Sequence, residues 1–153
     1  MKILMVCLGN ICRSPMAEGI LRKMIDEKNL SVQVDSAGTG NWHSGERPDK
    51  RAISTAKKFG VDISKLVARQ IEVSDFENFD KIFVMDKSNY RTVVQMARSK
   101  EDSSKVELLM NLCFPGSDTE VPDPWSGDED GFIPVFKMME KACSSLIASL
   151  KIS

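Results

Sequence analysis

The sequence predicts an α/β domain built on a parallel sheet covered by helices on both faces, and three observations lead there. Short strand-like runs alternate with longer amphipathic stretches, the order that generates βαβ units. Two of those runs, Lys2–Val6 and Lys81–Met85, are apolar without interruption, as in strands buried on both sides. The 153 residues contain no internal repeat, low-complexity tract or linker, so one domain spanning residues 1–153 is expected.

The elements follow in order. Lys2–Val6 is the first strand and ends in a loop containing Gly9 and Asn10. Ser14-Pro15 opens a helix, with proline at the first position, where its missing N–H costs nothing. Met16, Ala17, Ile20, Leu21 and Met24 give that helix an apolar stripe that runs out near Lys28-Asn29. Val32–Ala37 alternates like a strand and is closed by Gly38-Thr39-Gly40. Pro48–Phe59 reads as a helix stopped by Gly60. Lys81–Met85 is the next strand, followed by a helix from about Ser88 to Ser99, and Val106–Met110 is a fourth strand. The stripe Phe132, Val135, Phe136, Met139, Cys143, Ile147 and Leu150 marks a long closing helix.

Composition narrows the functions. With 21 basic and 22 acidic side chains the net charge is −1, which leaves no broad electrostatic footprint for nucleic acid or a membrane surface. No stretch approaches the roughly 20 apolar residues of a membrane span, and the apolar start is too short for a secretory leader. The four cysteines (Cys7, Cys12, Cys113, Cys143) therefore read as reduced thiols of a cytoplasmic protein. A single histidine, His43, and no C-x2-C pair leave no zinc site, and no cofactor is expected.

The chemistry lies between Cys7 and Arg13. In a parallel sheet, ligands bind beyond the carboxyl ends of the strands, where this loop falls, directly before a helix. A loop wrapped onto a helix N-terminus offers a phosphate several N–H donors, and Gly9 and Asn10 tolerate the positive φ such a cradle needs. Arg13 would present a planar fork to two phosphate oxygens. The same donors would stabilise a negative sulfur, making Cys7 a nucleophile toward phosphorus. Taken alone, a C-x5-R spacing also fits a buried thiol and a surface charge; the strand, Gly-Asn and Ser-Pro around it favour the cradle. A leaving oxygen needs a proton, and His43 is not obviously placed to give it. Asp123, in Val121-Pro122-Asp123-Pro124-Trp125, is the candidate acid, its loop stiffened by prolines and its protonated form favoured by nearby Trp125. A simple Asp-Pro turn accounts for the same residues equally well. The acidic run Asp128-Glu129-Asp130 reads as a solvated approach to the last helix.

Val6–Glu18, with Cys7, Cys12, Arg13, Ser14 and Pro15 in place, closely resembles the signature of the low-molecular-weight protein tyrosine phosphatases. The resemblance continues through Asp35–Thr39, Ala68-Arg69-Gln70, Met85–Asn89 and Pro122-Asp123-Pro124, and so covers the chain in order. It implies a four-stranded parallel sheet of flavodoxin-like order 2-1-3-4. It implies hydrolysis of protein phosphotyrosine and small aryl phosphates through a phosphocysteine, with Cys7 as nucleophile, Arg13 as clamp and Asp123 as acid and then base. Leu8, Gly9, Asn10, Ile11 and Cys12 would form the phosphate loop, with Asn10, Ser14 and Ser36 as its polar support. Trp42 would be one wall of the substrate slot and Trp125 part of the other. Cys12 resembles the family's neighbouring cysteine, a partner that shields Cys7 from over-oxidation through a disulfide. Two departures stand out: Trp125-Ser126 replaces a frequent tyrosine pair, and Leu66 replaces a histidine that supports the Asn–Ser network in many members.

Rival readings are weaker. Arsenate reductases of this fold carry cysteines after the third strand, where this chain has Met85–Tyr90 with none. Protein arginine phosphatases tend to carry threonine at the position of Ile11. A non-catalytic phospho-ligand binder would be expected to lose Cys7 or Asp123, and both are present.

Overall fold

The computed structural model describes residues 1–152. Four parallel strands, β1 (Lys2–Cys7), β2 (Gln33–Gly38), β3 (Lys81–Val84) and β4 (Val106–Leu108), form one sheet in the order β2-β1-β3-β4. This is the predicted order. Around it lie α1 (Arg13–Glu27), α2 (Lys50–Lys58), α3 (Asp75–Asn78), α4 (Lys87–Met96), α5 (Lys100–Ser104) and α6 (Phe132–Ile152).

The two central strands alternate between two cores, because successive side chains of a strand face opposite ways. Ile3, Met5 and Cys7 of β1, with Phe83 of β3, join the core built with α1, α2 and α6. Leu4, Val6, Ile82 and Val84 join Phe76 of α3 and Val93 of α4 on the other face. Uninterrupted apolar runs thus belong to strands covered on both sides.

Boundaries shift in places. α1 begins at Arg13, so Pro15 is its third residue, still among the first-turn amides that have no partner within a helix. α2 starts at Lys50 behind Asp49, whose carboxylate accepts from Arg51 N, and Gly60 at φ +77° follows its end. The expected strand Val106–Met110 stops at Leu108, where the chain turns into a 3-10 helix, Leu109–Leu112. The expected helix to Ser99 ends at Met96, and Ser99 instead caps the short α5. α3, four residues long, left no periodic signal. Among the described residues no helix is long and apolar enough to cross a membrane.

Candidate active site

The carboxyl ends of β1 and β3 define the site. Leaving β1, the chain turns through Leu8–Cys12 with Asn10 at φ +57° and enters α1 at Arg13. The backbone of this loop is held from three sides. Thr39 N donates to Cys7 O and Gly40 N to Leu8 O, both at 2.9 Å, and Asp49 N donates to Ile11 O at 2.8 Å. Gly38 permits the closest approach: a Cβ there would lie 2.8 Å from Leu8 O. Of the Gly-Asn pair, Asn10 takes the positive φ and Gly9 does not. Space is tight at Gly9 instead: a Cβ would sit 3.1 Å from the His43 ring, which would have to yield by a few tenths of an ångström.

Cys7 Sγ lies on the floor, buried, 3.0 Å from Ser14 Oγ and accepting from Asn10 N at 3.3 Å. Behind it runs a buried polar chain. Asn10 Nδ2 donates to Ser14 Oγ (2.7 Å) and Ser36 Oγ (3.0 Å), and Ser36 Oγ donates to Glu18 Oε1 (2.6 Å). Glu18 meets Arg22 at 2.6 Å. Asn10 Oδ1 accepts from the backbone N–H of Arg69 at 3.0 Å. That bond fixes which end of the amide faces the serines, and it completes the network that Leu66 does not join. Arg69 is itself pinned between Asp35 (3.1 Å) and Asp75 (3.0 Å). Burial raises the Glu18 carboxyl above its usual range, against the lowering effect of Ser36 and Arg22.

Arg13 is buried, with its guanidinium aimed across the loop. It donates to Asp86 Oδ2 at 2.7 Å and to Val121 O at 2.9 Å, with Asp123 Oδ2 3.7 Å away. Burial works against its charge, but Cys7, Asp86 and Asp123 outweigh that and hold the group above its ordinary value. Asp86 also caps α4: its other oxygen accepts from Asn89 N at 2.8 Å. One carboxylate thus follows β3, starts α4 and holds the arginine. Its role was not assigned from sequence; the available signal was a capping residue at a strand's carboxyl end, on the same edge as the Cys7 loop.

Asp123 reaches the mouth on a segment anchored by Val121, whose N–H donates to Met85 O at 2.8 Å. Its Oδ1 accepts from Trp125 N at 3.0 Å, and its side chain is 45% exposed. Trp125 is 54% exposed and does not enclose the carboxyl, contrary to the expected desolvation. Trp42, 68% exposed, lies over Gly40 so closely that a Cβ there would fall 1.8 Å from the ring.

These parts enclose a pocket of about 170 Å³ lined by Cys7, Leu8, Gly9, Ile11, Cys12, Arg13, Trp42, His43, Asp123 and Trp125. Asn10, Ser14 and Ser36 stand behind it. His43, set aside at the sequence level, is a lining residue, with Nδ1 3.0 Å from Glu46 Oε2. Cys12 shares the pocket with Cys7, and burial first, then Asp49, push its thiol pKa up. All four cysteines are free; Cys143 is buried in the core, which pushes its thiol up to about 12. Among the described residues no group of three His, Cys, Asp or Glu is arranged to hold a metal ion.

The fold and pocket define a class: α/β proteins with a pocket over the end of the first strand, between a helix N-terminus and an arginine, an arrangement suited to an oxyanion. The comparisons are more specific. The family described as low molecular weight phosphotyrosine protein phosphatase matches residues 2–153. The Schizosaccharomyces pombe low molecular weight phosphotyrosine protein phosphatase is 44% identical over 134 residues, covering 86% of this chain and 85% of that one. The crystal structure of a protein tyrosine phosphatase from Entamoeba histolytica superposes with a TM-score of 0.92 at 40% identity, over 99% and 97% of the two chains. A drosophila arginine phosphatase superposes with a TM-score of 0.91 at 34% identity, over 99% and 98%. The chain belongs to the low molecular weight phosphotyrosine protein phosphatase family, and is a hydrolase of the protein-tyrosine-phosphatase kind.

Proposed function

We propose that the protein removes phosphate from phosphotyrosine in proteins, and from small aryl phosphates, in two displacements at Cys7. The carrying observation is the convergence of Cys7, Arg13 and Asp123 on one pocket whose rim is Leu8, Trp42 and Trp125. The phosphate sits above Sγ, in the ring of loop amides, with the uncapped start of α1 directed at it. Arg13 turns its fork to two equatorial oxygens while Asp86 keeps it in place. Asn10 donates one amide hydrogen to each serine, which leaves the single Ser14 proton to choose between Cys7 Sγ at 3.0 Å and Ala37 O at 3.4 Å; turned to the nearer sulfur, it stabilises the thiolate.

In the first displacement the Cys7 thiolate forms the S–P bond, the P–O bond to tyrosine breaks, and protonated Asp123 gives its proton to the departing oxygen. In the second, water attacks the phosphocysteine and loses a proton to the Asp123 carboxylate. The S–P bond breaks, inorganic phosphate leaves and the thiolate is restored. No cofactor takes part. The apolar rim favours flat aryl groups reaching in from a protein surface over short alkyl phosphates. Cys12, beside Cys7, serves as its disulfide partner on oxidation, and the reduced thiols suit the cytoplasm.

The likeness to an arginine phosphatase makes phosphoarginine the second reading. Ile11 supports tyrosine, because its apolar side chain lines the pocket and offers no oxygen to a guanidinium. A side-by-side assay of phosphotyrosine, phosphoarginine and phosphoserine peptides, with arsenate reduction alongside, tests this. Phosphotyrosine is expected to give the highest kcat/KM; a higher value for phosphoarginine would overturn the assignment.

A further inference from the structure

The segment bearing Asp123 is anchored on its N-terminal side at Val121, by Met85 O and by Arg13. On its C-terminal side Pro124 to Gly127 form a turn, with Gly127 N donating to Pro124 O at 3.1 Å. The outward carbonyl of that turn, Gly127 O, accepts from Arg51 Nη1 at 2.6 Å. Arg51 is a residue of α2, far from Gly127 in sequence. Its Nε and Nη2 grip both oxygens of Asp49 at 3.0 and 2.9 Å, and its guanidinium lies 4.8 Å over the Phe132 ring at the start of α6. Asp49, in turn, donates its backbone N–H to Ile11 O inside the Cys7 loop.

From this geometry we infer that Arg51 is a positioning residue for the proton donor: it sets the reach of Asp123 to the leaving oxygen by tying the Asp123 turn to the loop that holds the phosphate. The inference rests on the reading of Asp123 as acid. A guanidinium that is planar, always charged and already fixed by a bidentate carboxylate suits a rigid strut between two segments. Without it, the Pro124–Gly127 turn keeps its internal bond and Pro124 stays buried, but the turn loses its tie to α2, and Asp123 is placed less firmly between Val121 and Pro124. A misplacement of about 1 Å at such a group is enough to slow proton transfer by an order of magnitude or more.

The test compares kcat/KM on a phosphotyrosine peptide, whose leaving oxygen needs a proton, with p-nitrophenyl phosphate, whose leaving oxygen hardly does. Arg51→Met is expected to lower the first about tenfold and the second less than about threefold, as loss of acid assistance does. Combined with Asp123→Asn it should add no further loss, and inorganic phosphate should inhibit Arg51→Met with the parent affinity. Arg51→Lys, which keeps charge but lacks the fork, provides the same comparison if Arg51→Met does not fold. Equal losses on the two substrates, a multiplicative loss in the Asp123→Asn background, or weakened phosphate inhibition would overturn the inference. If Asp123→Asn itself showed no dependence on the leaving group, the reading of Asp123 as acid would fall first.

Discussion

The Cys7–Arg13 loop and the Asp123 segment share one pocket but are built on opposite terms. The first is buried and saturated: its carbonyls are met by Thr39, Gly40 and Asp49, and its side chains end in the Asn10–Ser14–Ser36–Glu18 chain. The second is more exposed, with Asp123 and Trp125 each about half accessible on either side of a buried Pro124. In the proposed mechanism the contrast follows from two jobs. Groups that match phosphate oxygens must be preorganised, since their value lies in not having to rearrange. A group that donates to a departing tyrosine and then accepts from an entering water must stand where both can pass. Burial serves the cradle; access serves the acid.

Substitutions can break this contrast at either end. The largest effect belongs to the cradle. Cys7→Ser should lower turnover by about 10⁴-fold or more while inorganic phosphate still binds, as expected when a nucleophile is removed but its anion site remains. Turnover near the parent rate would mean that no covalent step occurs. At the exposed end, Asp123→Asn should cost about 10²–10³-fold on a phosphotyrosine peptide and much less on p-nitrophenyl phosphate. An equal loss on both would assign Asp123 to binding instead of proton transfer.

Gly40→Ala sharpens the account of the rim. The new methyl cannot coexist with the Trp42 ring, so the ring must move. KM for aryl phosphates is expected to rise about fivefold, the scale of one aromatic contact, with phosphate inhibition unchanged. An unchanged KM would remove Trp42 as a wall. The smallest effect concerns pH. Burial raises the Glu18 carboxyl, so its folded form binds a proton more tightly than its unfolded form. Its contribution to stability is present below the ordinary glutamate range and fades as pH rises through the folded value. Glu18→Gln should flatten that part of a melting temperature–pH profile; an identical slope in both proteins would show that Glu18 ionises without cost.

What the sequence reveals divides along the same line. The strand, the Cys7 loop and the opening of α1 are contiguous, so local residue types (Gly-Asn, Ser-Pro and the apolar run before them) carry their signal. Asp123 could be singled out but not distinguished from an ordinary Asp-Pro turn until the family resemblance was drawn. Asp86 and Arg51 were not legible, because each matters through a partner distant in the chain: Arg13 across β1 and β3, and Gly127 across α2 and the Asp123 turn. The Leu66 departure raised a question that only the folded chain answers, since Asn10 Oδ1 is satisfied by the backbone N–H of Arg69, which no side-chain pattern encodes. The place of His43 is not legible in sequence, because the path of its loop over Gly9 has no periodic signature. Short elements such as α3 and α5 fell below the length at which periodicity can be read.

The central claim is that phosphate passes through a covalent bond to Cys7. Rapid acid quenching during turnover of a labelled phosphotyrosine peptide, followed by mass analysis, tests it most directly. Up to one phosphate per chain is expected, carried on the peptide containing Cys7, and none in Cys7→Ser. Steady turnover with no trapped label, or label on another residue, would contradict it.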